Sequence, residues 1–193
     1  ANYWMVPRLQ DFHRRHPGID LRLQTTDKEL DLAQEGISLG VRRGTGHWPG
    51  YAAGLIAEER LFAVASPRWI AANPPVETAE ALRAARLIHL EEPYRIRPSW
   101  GDWFAQLGLP YRDAGDGLRL NDYALVLQAA MAGEGIAMGY AHVTEHLIAQ
   151  GLLARVGPWD WRTGQGFHVV WSDRSALSAN AAAVRDWILA DPA

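Results

Sequence analysis

Hydrophobic and polar residues in the first third of the chain follow a helical spacing and then a strand-like spacing. Leu9 and Phe12, three positions apart, predict an opening amphipathic helix, which Pro17 ends. The pattern from Thr26 to Glu29 is a capping box and predicts a second helix. Strands are predicted where apolar residues alternate or run together: 19–23, 37–41 and 61–66. This alternation of helices and strands is typical of an α/β fold with a mostly parallel sheet.

The remaining two thirds of the chain repeat these signals, and polar capping residues precede most of the helices. Helices are predicted at five places: 79–85, Ser99 to Leu107, Asp122 to Gly133, 143–150 and 179–190. Strands are predicted at four places: 87–90, 136–138, 153–156 and 167–171. Two glycine-rich stretches are predicted to be loops: 42–50 and 157–166.

The segment from Leu120 to Gly139 is the most informative part of the sequence. It predicts a strand end, a polar loop, an apolar helix and a second strand, with Asn121 and Asp122 as capping residues. In an open α/β sheet, a polar loop at the carboxyl end of a strand is where small ligands bind. The first N–H groups of the helix favour an anion there. The segment therefore predicts ligand binding without naming a chemistry.

Composition narrows the class of protein. With 193 residues and 48% hydrophobic content, one domain or two small lobes are expected. No apolar run is long enough for a membrane span, and the N-terminus lacks the pattern of a signal peptide. The absence of cysteine excludes disulfides and thiolate metal sites and fits a reducing compartment. A net charge of −3 makes this chain alone a poor candidate for binding nucleic acid.

Motifs for catalysis are scarce. There is no G-x-S-x-G, P-loop or G-x-G-x-x-G pattern, so no enzyme activity, catalytic residue or cofactor is expected. The residues from His142 to His146 match the H-x-x-E-H zinc motif, which would use Glu145 as general base. That motif needs a third ligand from a later helix, and no glutamate follows it in the chain. We therefore expect no metal site.

Eight segments, in order, resemble the effector-binding domain of LysR-type transcriptional regulators. They are WMVPRLQDFHRRHPGIDLRLQTTD, GVRRGTGHWPG, LFAVASP, PSWGDWFAQLG, LRLNDYALVLQAAMAGEGIAMG, LIAQGLLARV, FHVVW and VRDWILA. Each is weakly specific alone, whereas their shared order and spacing are a strong signal. The loop that carries glycine and tryptophan is similar to the branch that contains glycine-cleavage and β-lactamase-inducing activators.

The resemblance implies two Rossmann-like lobes around a central cleft, as in a type 2 periplasmic-binding protein. Lobe I would comprise 1–66 and 167–193, and lobe II 67–166. The family carries a winged helix-turn-helix and a linker helix before this domain, and both are absent from this sequence. The family also has a strand before the opening helix, so the first strand is expected to be missing here. Ser38 stands where the family often has Asp, which removes a charge near the 42–50 loop.

The implied function is to bind a small organic effector in the cleft and to pass the change to a DNA-binding domain. The alternative is a stand-alone solute-binding protein of similar fold. The candidate ligand-binding residues are Thr25, Arg42, Ser66, Asn121, Asp122, Tyr140 and Phe167. Each has a structural alternative, namely loop support for Arg42, capping or a turn for the small polar residues, and core packing for the aromatic residues. Arg43 is expected to be solvated.

Partners and location also follow from the resemblance. A homodimer or tetramer is expected through the opening helix, whose apolar surface would come from Trp4, Val6, Leu9 and Phe12. DNA is expected to be a partner only through the absent N-terminal domain. Membrane partners are not expected, and the protein is expected in the cytoplasm.

Overall fold

Two long strands, β2 (Tyr51–Ala65) and β6 (Ala154–Ser172), each contribute to both of the units into which the chain folds. The computed structural model describes residues 3–26, 28 and 30–190. Unit 1 comprises the described residues of 1–59 and 162–193, and unit 2 comprises 60–161. The lobe boundaries expected from the sequence, after 66 and after 166, lie a few residues further along the chain and stay a prediction.

Helices and strands alternate through the middle of the chain, from residue 79 to residue 149, as expected of an α/β chain. The helices are α1 (Leu9–Arg15), which follows a 3-10 turn (Val6–Arg8), α2 (Pro67–Ala72), α3 (Ala79–Ala84), α4 (Trp100–Gln106), α5 (Tyr123–Ala132), α6 (Ala141–Ala149) and α7 (Ala179–Ala190). The remaining strands are β1 (Gly40–Gly44), β3 (Ile88–Leu90), β4 (Leu118–Leu120) and β5 (Ala137–Tyr140). No helix of the described part is long and apolar enough to cross a membrane.

Unit 1 is built on antiparallel pairing, which differs from the parallel sheet expected for this part of the chain. β1 pairs with β6 so that Arg42 lies opposite His168, and β6 lies between β1 and β2 in the strand order. Residues 19–23, expected to form a strand, belong to no ladder among the described residues. Alternation shows which face a strand would bury, but a strand forms only where a neighbouring backbone satisfies its hydrogen bonds.

The helix expected after Thr26 is replaced by a single turn. Glu29, the last residue of the expected capping box, lies outside the described residues. Within 30–36, the backbone N–H of Glu35 donates to the Asp31 carbonyl, and that of Ile37 donates to the Leu32 carbonyl, so the turn does not continue. The strand expected at 37–41 is also shifted and begins at Gly40.

The predicted loop at 157–166 is wrong, because β6 runs through it without a break. The glycines and the proline of this stretch favoured a loop, yet the side chains at 159, 161, 163 and 165 are half-buried and those between them are exposed. This period of two is the signature of a strand with one covered face. Trp159, Trp161 and Thr163, alternating with Asp160 and Arg162, carried that signal in the sequence.

Unit 2 contains most of the helices that the sequence predicted, with the expected caps. Thr78 caps α3, Ser99 forms a capping box with Asp102 at the start of α4, and Gly133 ends α5. β3 and β4 are parallel, and β5 pairs with β2 in antiparallel register. The core of the unit is formed by fully buried side chains, among them Leu82, Trp100, Phe104, Leu127 and Ile136. Short helices of this kind depend on packing for most of their stability.

We expect Leu127→Ala to lower the free energy of unfolding by about 2–5 kcal/mol, because it opens a cavity beneath α5 where Leu127 has no exposed surface. Leu125→Ala on the same helix is the control, since Leu125 is 45% exposed and its loss should cost about 0.5 kcal/mol or less. Urea unfolding of both variants measures the difference. Equal losses would contradict the packing of α5 described above.

Candidate functional site

Three strands of unit 2 end at the same edge of the unit. β3 and β4 pair in parallel, Leu90 opposite Leu120, and a parallel bridge joins Leu87 to Ile136 just before β5. The carboxyl ends of β3, β4 and β5 therefore point the same way, and α5 packs against all three strands. The segments that follow carry most of the polar residues of this edge: Glu91, Glu92, Arg97, Asn121 and Asp122. Ligands of open α/β sheets bind at such an edge.

Asp122 occupies the start of α5. One of its carboxylate oxygens accepts hydrogen bonds from the backbone N–H groups of Ala124, at 2.6 Å, and Leu125, at 3.4 Å. The anion that the sequence favours at this helix end is thus the chain's own side chain. Asn121 is exposed and makes no hydrogen bond among the described residues, so its amide is available to a ligand.

Two tyrosines form the floor of the same edge. The Tyr123 hydroxyl donates to the Met138 carbonyl, at 3.2 Å, and accepts from the backbone N–H of Tyr140, at 2.9 Å. Their rings meet edge to face with centroids 4.9 Å apart, and Tyr140 is buried. Burial holds the pKa of Tyr123 well above its usual value, so the phenol keeps its proton at neutral pH. Tyr123 thereby fixes the backbone where β5 enters α6.

Ser66 serves as a helix cap in the structure. Its hydroxyl oxygen accepts a hydrogen bond from the backbone N–H of Trp69, at 3.1 Å, and the residue is buried at the start of α2. The sequence did not predict α2, because Pro67 was interpreted as the end of a strand. Proline is favourable at the first position of a helix, which explains why Ser66-Pro67 starts one here.

Three of the expected site residues lie in unit 1. Arg42 donates to the Leu30 carbonyl, at 2.9 Å, and its guanidinium lies 4.3 Å from the ring centre of Tyr51. Both contacts support the surrounding backbone. Phe167 lies opposite Arg43 in the β1–β6 register and Arg42 lies opposite His168, so the register places the side chains of Arg42 and Phe167 on opposite faces of the sheet. Thr25 is exposed in a segment without regular structure.

A buried ionic cluster in unit 1 was missed by the sequence analysis. Glu59 has no exposed side-chain surface and makes a bidentate ion pair with Arg43, at 2.5 and 2.6 Å. Thr163 donates its hydroxyl to the same carboxylate, at 2.5 Å. Arg43 is therefore paired and mostly buried, contrary to the expectation that it is solvated. The available signal was a glutamate within the largely apolar stretch 51–65, where only a paired carboxylate can be buried.

The H-x-x-E-H segment lies on α6, where Glu145 forms an ion pair with Arg60. Arg60 also reaches Asp160, at 3.6 Å. Within the described part of the chain, no group of three or more histidine, aspartate or glutamate side chains is arranged to hold a metal ion. The structure thus gives Glu145 an electrostatic partner in unit 2.

The comparisons with known proteins agree with this geometry. The family model of the LysR substrate binding domain matches residues 1–193. The chain belongs to this family, and its fold is the α/β, type 2 periplasmic-binding-protein-like fold of LysR effector domains, as the sequence predicted.

Individual relatives are transcriptional regulators. The chain is 33% identical to the glycine cleavage system transcriptional activator of Escherichia coli strain K12 over 195 residues, which is all of this chain and 62% of that protein. It is 31% identical to the transcriptional activator AmpR of Rhodobacter capsulatus, covering 93% of this chain and 59% of that one. Among solved structures, the effector domain of Pseudomonas aeruginosa AmpR matches with a TM-score of 0.76 and 28% identity, covering 98% and 88% of the two chains. The chain thus spans less than two thirds of the length of these curated relatives.

Arg43→Met should lower the free energy of unfolding by about 3–5 kcal/mol, because it leaves the Glu59 carboxylate buried without its cation. Replacing both residues, Arg43→Met with Glu59→Met, removes both charges and should recover most of the loss. Arg162→Met is the control, since its ion pair with Glu58 on the same strands is about two thirds exposed and contributes about 1 kcal/mol or less. Chemical denaturation of the wild-type protein and the three variants tests this, and a double variant that is no more stable than Arg43→Met would contradict it.

A second prediction concerns His168, which is buried, lies opposite Arg42 in the β1–β6 register and contacts Trp48 with ring centroids 5.4 Å apart. Burial lowers its pKa from the ordinary 6.5, so the unfolded chain takes up a proton that the folded chain does not. The contribution of neutral His168 to the free energy of unfolding should therefore be fully present above about pH 7 and decline as the pH falls through 6.5.

His168→Gln should flatten this decline, measured as the unfolding midpoint in urea between pH 7.5 and 5.5. The values at pH 7.5, where the histidine is neutral in both states, give the cost of lost packing alone. Parallel pH curves for the two proteins would contradict the assignment.

Proposed function

We propose that this chain is the effector-sensing part of a longer transcriptional regulator, and that it binds a small organic molecule. The observation that carries the proposal is the shared carboxyl edge of β3, β4 and β5 in a chain that belongs to the LysR substrate binding domain family. The regulators among its relatives favour this role over a stand-alone solute-binding protein.

The candidate residues have different roles in this proposal. Asn121 is the strongest ligand contact, because it is exposed at the edge while Asp122 alone caps the helix. Tyr140 shapes the floor, and Ser66 supports α2. Thr25, Arg42 and Phe167 remain proposed ligand-binding residues of unit 1, with Arg42 also supporting its own loop.

The rest of the proposal concerns the longer protein. A segment outside this chain would contact DNA, and the effector would act by binding two conformations of the domain with different affinities. A regulator of this kind acts in the cytoplasm and needs neither a cofactor nor a catalytic residue in this domain. We also propose self-association through the opening helix. The exposed apolar surface of this helix is smaller than the sequence suggested, because Trp4 and Phe12 are buried. Val6, just before the helix, is half exposed.

The experiment is a thermal-shift screen of amino acids, aromatic acids and peptidoglycan fragments, followed by calorimetry with the compound that stabilises the protein. Asn121→Ala should weaken its binding about two- to tenfold, the effect of one neutral hydrogen bond, and should leave the melting temperature of the free protein unchanged. Asp122→Ala should instead destabilise the free protein by about 0.5–2 kcal/mol, because α5 loses its cap.

Gln128→Ala, an exposed change further along α5, is the matched control and should alter neither quantity. Unchanged affinity in Asn121→Ala would show that the carboxyl edge of unit 2 does not hold the effector.

A further inference from the structure

A hollow of about 800 Å³ opens in unit 2 at the amino end of the β3–β4 pair, opposite to the strand ends described above. Its walls are the end of α3, the start of β3 and the segment 110–117 that leads into β4. The large side chains that line it are Arg83, Arg86, His89, Tyr111 and Arg112. A volume of about 300–1,000 Å³ is usual for sites that hold small organic ligands.

The walls of this hollow are held in place by direct contacts. Gly117 lies so close to β3 that a Cβ there would collide with the Leu87 carbonyl oxygen, and its positive φ of 92° also favours glycine. Arg83 donates to the Pro110 carbonyl, at 3.1 Å, and the Tyr111 ring stacks on Phe104 with centroids 4.8 Å apart. Backbone and ring contacts therefore hold part of the wall of the hollow in place.

The charges around the hollow leave an excess of cations. Asp113 is engaged by Arg119, at 2.5 Å, and by the backbone N–H of Gly115, at 3.0 Å, which leaves Asp116 as the other acidic lining residue. Arg86 meets Glu134 only at 3.5 Å. Arg112 is exposed and makes no ion pair or hydrogen bond in the described part of the chain.

His89 adds a neutral polar group to the inner wall. The side chain is nearly buried, and its Nδ1 atom lies 4.0 Å from an Asp113 oxygen. Burial, with Arg119 acting in the same direction, lowers the pKa of His89, while Asp113 and Glu91 oppose the shift. At neutral pH the ring is therefore uncharged and presents one donor and one acceptor.

We propose that this hollow is a second binding site, which takes a small organic anion with a carboxylate or phosphate head on a flat apolar body. Arg112 and Arg86 would bind the head, because a guanidinium matches both kinds of anion through paired N–H donors. Tyr111 supplies apolar surface for the body. The site is separate from the effector edge, since it uses the opposite ends of β3 and β4.

The test uses the full chain and three probes that share a phenyl ring: phenyl phosphate, benzoate and the uncharged benzyl alcohol. Binding is followed by ¹H–¹³C NMR of the histidine rings at pH 7.5 and low salt. The His89 signal is assigned by its absence from His89→Gln, and the other histidines serve as internal references. Comparing the binding of phenyl phosphate with that of benzoate shows whether the site prefers a phosphate or a carboxylate.

We expect a saturable shift of the His89 signal with at least one of the anions and none with benzyl alcohol. Arg112→Gln should weaken that binding about ten- to a hundredfold, as for the loss of a charge-assisted hydrogen bond. Arg68→Gln, which removes an exposed cation on α2 of the same unit, should leave it unchanged. The absence of a saturable shift with both anions, an equal response to benzyl alcohol, or equal weakening in the two variants would overturn the proposal.

Discussion

The buried carboxylate of Glu59 is the interaction on which the strand arrangement of unit 1 depends. It lies on β2, its bidentate partner Arg43 lies on β1, and Thr163 on β6 donates to the same group. A carboxylate without solvent is stable only when each of its oxygens is satisfied, so the three strands are held in one register. A slip of one residue on any strand would turn one partner to the other face and leave the charge buried alone. The cluster therefore specifies the sheet at least as much as it stabilises it.

This arrangement explains which parts of the structure could be predicted from the sequence. Helix starts such as those at Thr78, Ser99 and Asp122 are local, because the capping side chain and the N–H groups it satisfies lie within three residues. The Glu59–Thr163 hydrogen bond joins residues 104 positions apart, and no local pattern contains it. The misassigned loop at 157–166 has the same origin, since its glycines favoured a loop locally while its neighbours in the sheet decided the outcome.

The candidate site shows the same difference between what a local sequence pattern predicts and what only the structure reveals. The sequence located the polar segment before α5 because a strand, a cap and an apolar helix follow one another in it. It did not distinguish Asn121 from Asp122, because either residue is a good cap and only the structure assigns the hydrogen bonds. Ser66 was a candidate because of its position in the resembled family, yet its hydroxyl caps α2. The residue types in the sequence thus predicted where polar side chains are concentrated. The hydrogen-bond partners in the structure show which of these side chains remain available to a ligand.

The effector edge and the hollow lie at the two ends of the same strand pair, β3 and β4. Both strands are only three residues long, so the effector edge and the hollow lined by Arg112 share the same short pieces of backbone. Close approach at Gly117, and at Gly135 against the Arg86 carbonyl, fixes the start of β3 between its neighbours. A ligand at one end can affect binding at the other only if it prefers one of two arrangements of these strands, and the influence must then be equal in both directions. The tight packing around β3 favours discrete arrangements over gradual deformation, because a strand held on both sides by backbone contacts cannot move without its neighbours.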